Sequence, residues 1–211
     1  MLTSEERILL YLKLSLPLLL LFAIVFGGTN WLGSLREEHY HFYFQWELGI
    51  PFIPEMILVY LSIQFLFLLP ALHCDSAGMI VLAKRMALAT ILAGFCYLLM
   101  PAEPVFPRHE TVDSFQWLFT ILYTLDEKHN LFPSLHFTLS TLVVIALLKN
   151  VNKLIGSIYL VWLGALYLSV LLVHQHHIPD IMAGLLLTLI CVLLVPSAGK
   201  ARLHQLFAAG R

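Results

Sequence analysis

The sequence predicts an all-α, polytopic membrane protein, a six-transmembrane-helix bundle, and three observations carry that expectation. Of its 211 residues, 60% are hydrophobic and only 12% are charged, about half the roughly 25% charged share of soluble domains. The apolar residues gather into runs approaching the ~20 residues that cross a bilayer as helix. Lysine and arginine divide unevenly between the connections, as in membrane proteins of fixed orientation. The net charge of −1 says little about partners, and no basic block points to nucleic acid. Cys74, Cys96 and Cys191 have no metal-ligand spacing and read as small buried hydrophobes.

In chain order, the predicted spans cover about 8–28, 55–73, 80–100, 134–149, 154–173 and 178–195, forming one domain over 1–211 without internal repeats. The first could pass for a signal peptide, but its length and the lack of a clean small-x-small cleavage site favour a retained span. Residues 29–53 form a polar-aromatic connection with Trp31, Tyr40, Phe42, Tyr43, Phe44 and Trp46, rings that collect at the headgroup level. The alternative is that His39, His41 or Glu47 lines a substrate entrance. Pro51 and Pro54 introduce the second span. Asp75, Ser76, Gly78 and the pair Lys84–Arg85 mark the turn into the third, which is short unless it borrows residues 79–83. Residues 101–133 are the longest polar connection, broken by Pro101, Pro104 and Pro107.

Six spans put both termini on one side, with Arg7, Lys13, Lys84, Arg85, Lys149, Lys153, Lys200, Arg202 and Arg211. The other side has Arg36, Arg108 and Lys128. The asymmetry places the termini in the cytoplasm. The connections at 29–53, 101–133 and 174–178 then face the periplasm or a lumen, whether the membrane is a bacterial inner membrane or a eukaryotic endomembrane.

Two motifs fall on that outer side. In FPSLHF (132–137), Pro133 ends the loop and Ser134 is a good N-cap for the fourth span. A helix start offers unpaired N–H groups to an anion, and His136 projects from the same turn. Forty residues later, HQHHIPD places His174, His176 and His177 ahead of Asp180. His176 is four residues before the carboxylate and His177 three, so spacing lets either pair with it. A carboxylate on one ring nitrogen frees the other as nucleophile or base. Two helix starts, each with a histidine, suit phosphoryl transfer without a metal or other cofactor. The competing reading of HQHH is a metal site, since imidazoles and a carboxylate are natural zinc ligands.

FPSLHF followed by His176-x3-Asp180 resembles the second and third signatures of the type-2 phosphatidic acid phosphatase superfamily. PSLH in place of PSGH resembles its inositol phosphorylceramide synthase branch, and HQHHIPD resembles the sphingomyelin synthase motif. The resemblance implies that His176 attacks phosphorus and forms a phosphohistidine, that Asp180 orients His176, and that His136 protonates the leaving alkoxide. It implies a lipid phosphate substrate, with water or an alcohol as acceptor. Ser134, Arg108, His174 and His177 are the candidate substrate-binding groups.

Two features of the family pattern are absent. The first signature, Lys-x6-Arg-Pro, does not occur, and the arginine expected after Ser169 is Val170. Arg108 is the best substitute clamp, with Lys128, His174 and His177 behind it. A phosphomonoester carries about −1.5 to −2 charge at neutral pH and a diester about −1, so a site poor in arginine tilts toward transfer or cleavage of a diester headgroup. The alternatives are a lipid phosphate monoesterase acting on phosphatidate or a polyprenyl phosphate, and a non-catalytic transporter or binding protein on the same scaffold.

Overall fold

The computed structural model describes residues 3–109, 112, 114–125 and 128–197. Among these the regular structure is helical, with isolated backbone bridges linking Tyr40, Ala102 and Asn130 in place of strands. Four stretches are long and apolar enough to cross a membrane: α1 (Ser4–Ser34), the broken helix Met56–His73, α5 (Ser76–Leu99) and α8 (Lys153–Leu172). The broken helix consists of α2 (Met56–Leu61), α3 (Ile63–Leu68) and α4 (Pro70–His73), interrupted at Ser62 and Leu69. Two further apolar helices, α7 (Leu135–Leu147) and α9 (Ile178–Leu194), have 13 and 17 residues. At 1.5 Å per residue they rise roughly 20 and 26 Å, less than a ~30 Å hydrocarbon core.

The helix starts follow local rules. Thr3 caps α1 reciprocally with Glu6, Asp75 caps α5 through Gly78 N–H, and Asn152 caps α8 through Ile155 N–H. Capping by Asp75 corrects the expected position of the second turn. Lys84 and Arg85 lie inside α5, where the buried Arg85 reaches along the bundle and donates from Nε to Val195 O at 2.9 Å. The long aliphatic stem lets the guanidinium reach that carbonyl from inside the helix.

The polar connection 101–133 also holds a helix that its composition does not announce, α6 (Gln116–Leu125). Its QWLFTILYTL run is apolar but short, and it closes a small core in which Leu118, Phe119 and Leu122 pack with Ile57, Tyr60, Val170 and Val173. Burial of that face, at roughly 25 cal/mol per Å², stabilises what propensity alone would leave marginal.

Helix α7 is central, packed against α5, α9, α8, α3 and α4, while α1 lies along α5. Leu139, Leu142, Val143 and Leu147 fill the main core with Ala89, Ala93, Leu166 and Leu187. Helix α1 keeps Leu12, Leu16, Leu19, Leu20 and Ile24 exposed on its outer face, as a lipid-facing helix does. Helices α7 and α9 approach closely at Gly184. A Cβ there would lie 2.9 Å from Ser134 O and 3.2 Å from Thr138 Oγ1. Thr138 Oγ1–H is shared between Ser134 O and Gly184 O, which ties the two helices together.

Candidate active site

The contact of α7 with α9 brings the two histidine motifs into one place. Ser134 N–H donates to Asp180 O at 3.1 Å, linking the first turns of both helices. Tyr97 on α5 donates from its hydroxyl to Pro133 O at 2.8 Å and fixes the loop before α7. Ser134 has the N-cap role its position implies, accepting Phe137 N–H at its Oγ.

His176 lies outside α9, with Pro179 in that helix's first turn. Its Nε2 is 3.1 Å from Ser134 Oγ, and its Nδ1 is 3.5 Å from Asp180 Oδ2. A lone pair facing a carboxylate would be repelled, so the favoured tautomer carries its proton on Nδ1 and accepts the Ser134 hydroxyl at Nε2. Nε2 is thus the nitrogen with an available electron pair. Asp180 also accepts His177 N–H at 2.7 Å, which holds its carboxylate toward the loop.

His136 stacks on Tyr60, ring centroids 4.4 Å apart. Its Nε2 is buried and has no hydrogen-bond partner among the described residues, an arrangement that needs a ligand or water to satisfy it. His136 and His176 line the same cavity, of about 310 Å³. Arg108 and Lys128 line it too, with His174 and Gln175. Arg108 donates from Nη1 to Tyr123 O at 3.3 Å, and its guanidinium lies 4.9 Å from the Tyr123 ring centroid.

The three histidines of HQHH have different surroundings. His177 is fully buried. Val105 N–H donates to its Nε2 at 3.0 Å, so Nδ1 carries the proton and donates to Glu47 Oε2 at 2.9 Å. Neither nitrogen is left for a phosphate, contrary to the expectation that His177 binds substrate. His174, at φ 57°, donates from Nε2 to Ile50 O at 3.0 Å and accepts His109 Nε2–H at Nδ1, 3.2 Å away. It borders the cavity, but its ring nitrogens are likewise engaged. Burial lowers the pKa of His177 and of His174 below the usual histidine range, opposed by Glu47 at the first and by the Ile50 hydrogen bond at the second.

Glu47 is the residue whose role here sequence reasoning missed. It is fully buried and accepts from His177 Nδ1, Ile178 N–H and Phe44 N–H. From the sequence it is only one of three candidates, with His39 and His41, for a substrate entrance. The available signal was a lone carboxylate among interfacial aromatics, in need of buried donors. The position where an arginine was expected, Val170, is fully buried in the α6 core, and its carbonyl accepts Gln175 and His176 N–H.

A family model described as PAP2 superfamily matches residues 55–194, which takes in both motifs and the helices that hold them. Neither a curated protein nor a solved structure matches the chain. The extent of the family match, about two thirds of the chain, shows that this protein belongs to the PAP2 superfamily, whose members are phosphatases.

Proposed function

We propose that the protein cleaves or transfers a lipid-linked phosphate or phospho-headgroup through His176. The observation that carries this reading is the His176 ring, set between Asp180 and Ser134 on the wall of the cavity that also holds the unsatisfied Nε2 of His136. In the reaction, His176 Nε2 attacks phosphorus and the bond from phosphorus to the leaving alkoxide breaks. His136, acting as a protonated acid, gives that alkoxide its proton. The N–P bond of the phosphohistidine then breaks as water or an acceptor alcohol attacks, and His136 takes the proton of the incoming hydroxyl. Asp180 stabilises the charge that develops on the His176 ring, and Ser134 turns its hydroxyl from Nε2 to a phosphate oxygen.

Arg108 and Lys128 supply the cations at the cavity wall. With the lysine and both arginines of the family pattern missing, a cavity of reduced positive charge suits the roughly −1 charge of a diester better than the dianionic form of a monoester, so we favour headgroup transfer of the kind the PSLH and HQHH variants suggest. In this reading α7 and α9 are short spans of a single six-span domain, and the site faces the periplasm or lumen. Labelling of a cysteine placed at position 128 only after permeabilisation of the cells would refute that sidedness. The reaction itself is tested by incubating purified protein with a panel of labelled lipid phosphates, with and without an acceptor alcohol. Labelled new lipid identifies a transferase, and phosphate released without acceptor identifies the monoesterase alternative. Wild-type protein that turns over none of the panel and traps no phosphoenzyme would sink the catalytic reading in favour of a binding or transport protein.

A further inference from the structure

Apart from the catalytic histidines, His39, Glu103 and His129 converge, each offering one ligand atom within 4.8 Å of the others. They stand on three separate connections: after α1, after α5 and before α7. Backbone pairing brings these connections together. Tyr40 N–H donates to Pro101 O, Glu103 N–H to Tyr40 O, and Ala102 N–H to His129 O. Gly33 leaves the space the cluster needs, because a Cβ there would lie 2.7 Å from His129 Cβ.

Both imidazoles face one carboxylate oxygen. Glu103 Oε1 is 3.0 Å from His129 Nδ1 and 3.5 Å from His39 Nδ1. His39 Nε2 is 3.0 Å from Gly33 O. That carbonyl can only accept, so Nε2 holds the proton. In the neutral ring, Nδ1 is then a bare lone pair aimed at an oxygen of like character. A proton or a metal cation between them removes the repulsion. The two rings are stacked 4.6 Å apart. Bonds of about 2.0–2.1 Å from a tetrahedral zinc place its ligand atoms roughly 3.3 Å apart, and the two spacings here bracket that value. A metal-bound histidine commonly gives its other N–H to a backbone carbonyl, as His39 does to Gly33.

The geometry points to a divalent transition-metal site formed by His39, Glu103 and His129, with zinc the cation that best suits the donor set. Three protein ligands leave a fourth position to water. Pro104, Lys128 and Asn130, beside the ligands in sequence, line the reaction cavity. A bound ion therefore pins that wall and takes no part in attack by His176.

The test is elemental analysis of full-length protein equilibrated with Zn2+ and freed of loose metal, beside the same protein loaded with Co2+. Wild type is expected to retain about one zinc per chain and to give the visible absorption of tetrahedral cobalt. The double variant His39→Ala/His129→Ala should lose both signals, while His174→Ala keeps them. Glu103→Gln, which preserves side-chain size, should weaken zinc binding at least tenfold, and it carries the comparison if the double variant does not fold. Zinc should also raise the melting temperature of wild type with rising concentration, and should not do so for Glu103→Gln. Zinc retained equally by wild type and the variants, or lost with His174→Ala, would overturn the site.

Discussion

Two adjacent histidines offer the sharpest test of the site, because truncating each should damage a different property. His177→Ala deletes a fully buried ring. It leaves Val105 N–H without its acceptor and takes from Glu47 one of three donors, with Ile178 and Phe44 N–H remaining. A buried donor left unpaired costs about 1–3 kcal/mol, and a lost hydrogen bond to a charged group about 1.5–3. With the lost stacking on Phe106, the total is roughly 3–5 kcal/mol, a large part of a net stability of about 5–15. His176→Ala removes a ring that faces the cavity and breaks its contacts with Ser134 Oγ and Asp180 Oδ2. Asp180 keeps the His177 N–H but loses the imidazole beside it, so the cost is about 1–3 kcal/mol.

The assay pairs thermal unfolding in detergent with trapping of labelled phosphoenzyme at alkaline pH, since an N–P bond is labile in acid. His177→Ala should melt well below wild type and still trap label in its folded fraction. His176→Ala should melt closer to wild type than His177→Ala does and trap none. Glu47→Gln, which turns one acceptor into a donor facing buried N–H groups, should fall between them in stability and retain the intermediate. The reasoning fails if His177→Ala is as stable as wild type yet traps nothing while His176→Ala still traps label.

Arg108→Ala should raise KM and slow turnover, a loss of about 2–4 kcal/mol of transition-state stabilisation; unchanged steady-state kinetics would show that another group holds the phosphate. Thermal stability should fall as pH drops below about 6.5, because burial depresses His177, His174 and His109 in the folded state. The unfolded chain then binds more protons in that window, and the native state loses ground as they bind. Glu47, Asp180 and His176 around His177, and His109 and His177 around His174, set the size of the effect; a melting temperature flat from pH 7.5 to 5 would contradict it. Gly184→Ala should cost about 1–3 kcal/mol by overpacking and reduce turnover in the folded fraction, since relief of the clash with Ser134 O moves α7 from α9; wild-type kinetics and melting would show that the helices can part without moving the histidines.

Long apolar runs and sequence-local starts made the long helices legible, although α1 continues to Ser34, six residues past its expected end at 28 and into the expected connection. Thr3, Asn152 and Ser134 each cap within three residues of the N–H they accept, and the apolar runs that follow are long. The same locality failed at α6, where ten apolar residues lie among prolines and charges and become a helix only on the core of Ile57 and Val170. It failed again at Lys84 and Arg85, which look like a turn because charge inside an apolar helix is rare. The acceptor of Arg85, Val195 O, is 110 residues away, beyond the reach of any pattern read in a window.

The site divides along the same line. The motifs themselves were readable, since Ser134, His136, His176 and Asp180 stand at helix starts whose chemistry is local. The roles of the remaining histidines were not, because spacing lets both His176 and His177 reach Asp180. The choice is made by Glu47, 130 residues from His177 in sequence. By engaging Nδ1–H, while Val105 engages Nε2, Glu47 fixes His177 as a neutral structural ring and leaves His176 facing the cavity. The carboxylate also accepts Ile178 N–H, so it binds the first connection to the start of α9 as well as to the ring. Removing Glu47 therefore loosens the base of His176 without touching it, and a fall in kcat at unchanged KM is the signature that separates this positioning role from a substrate contact.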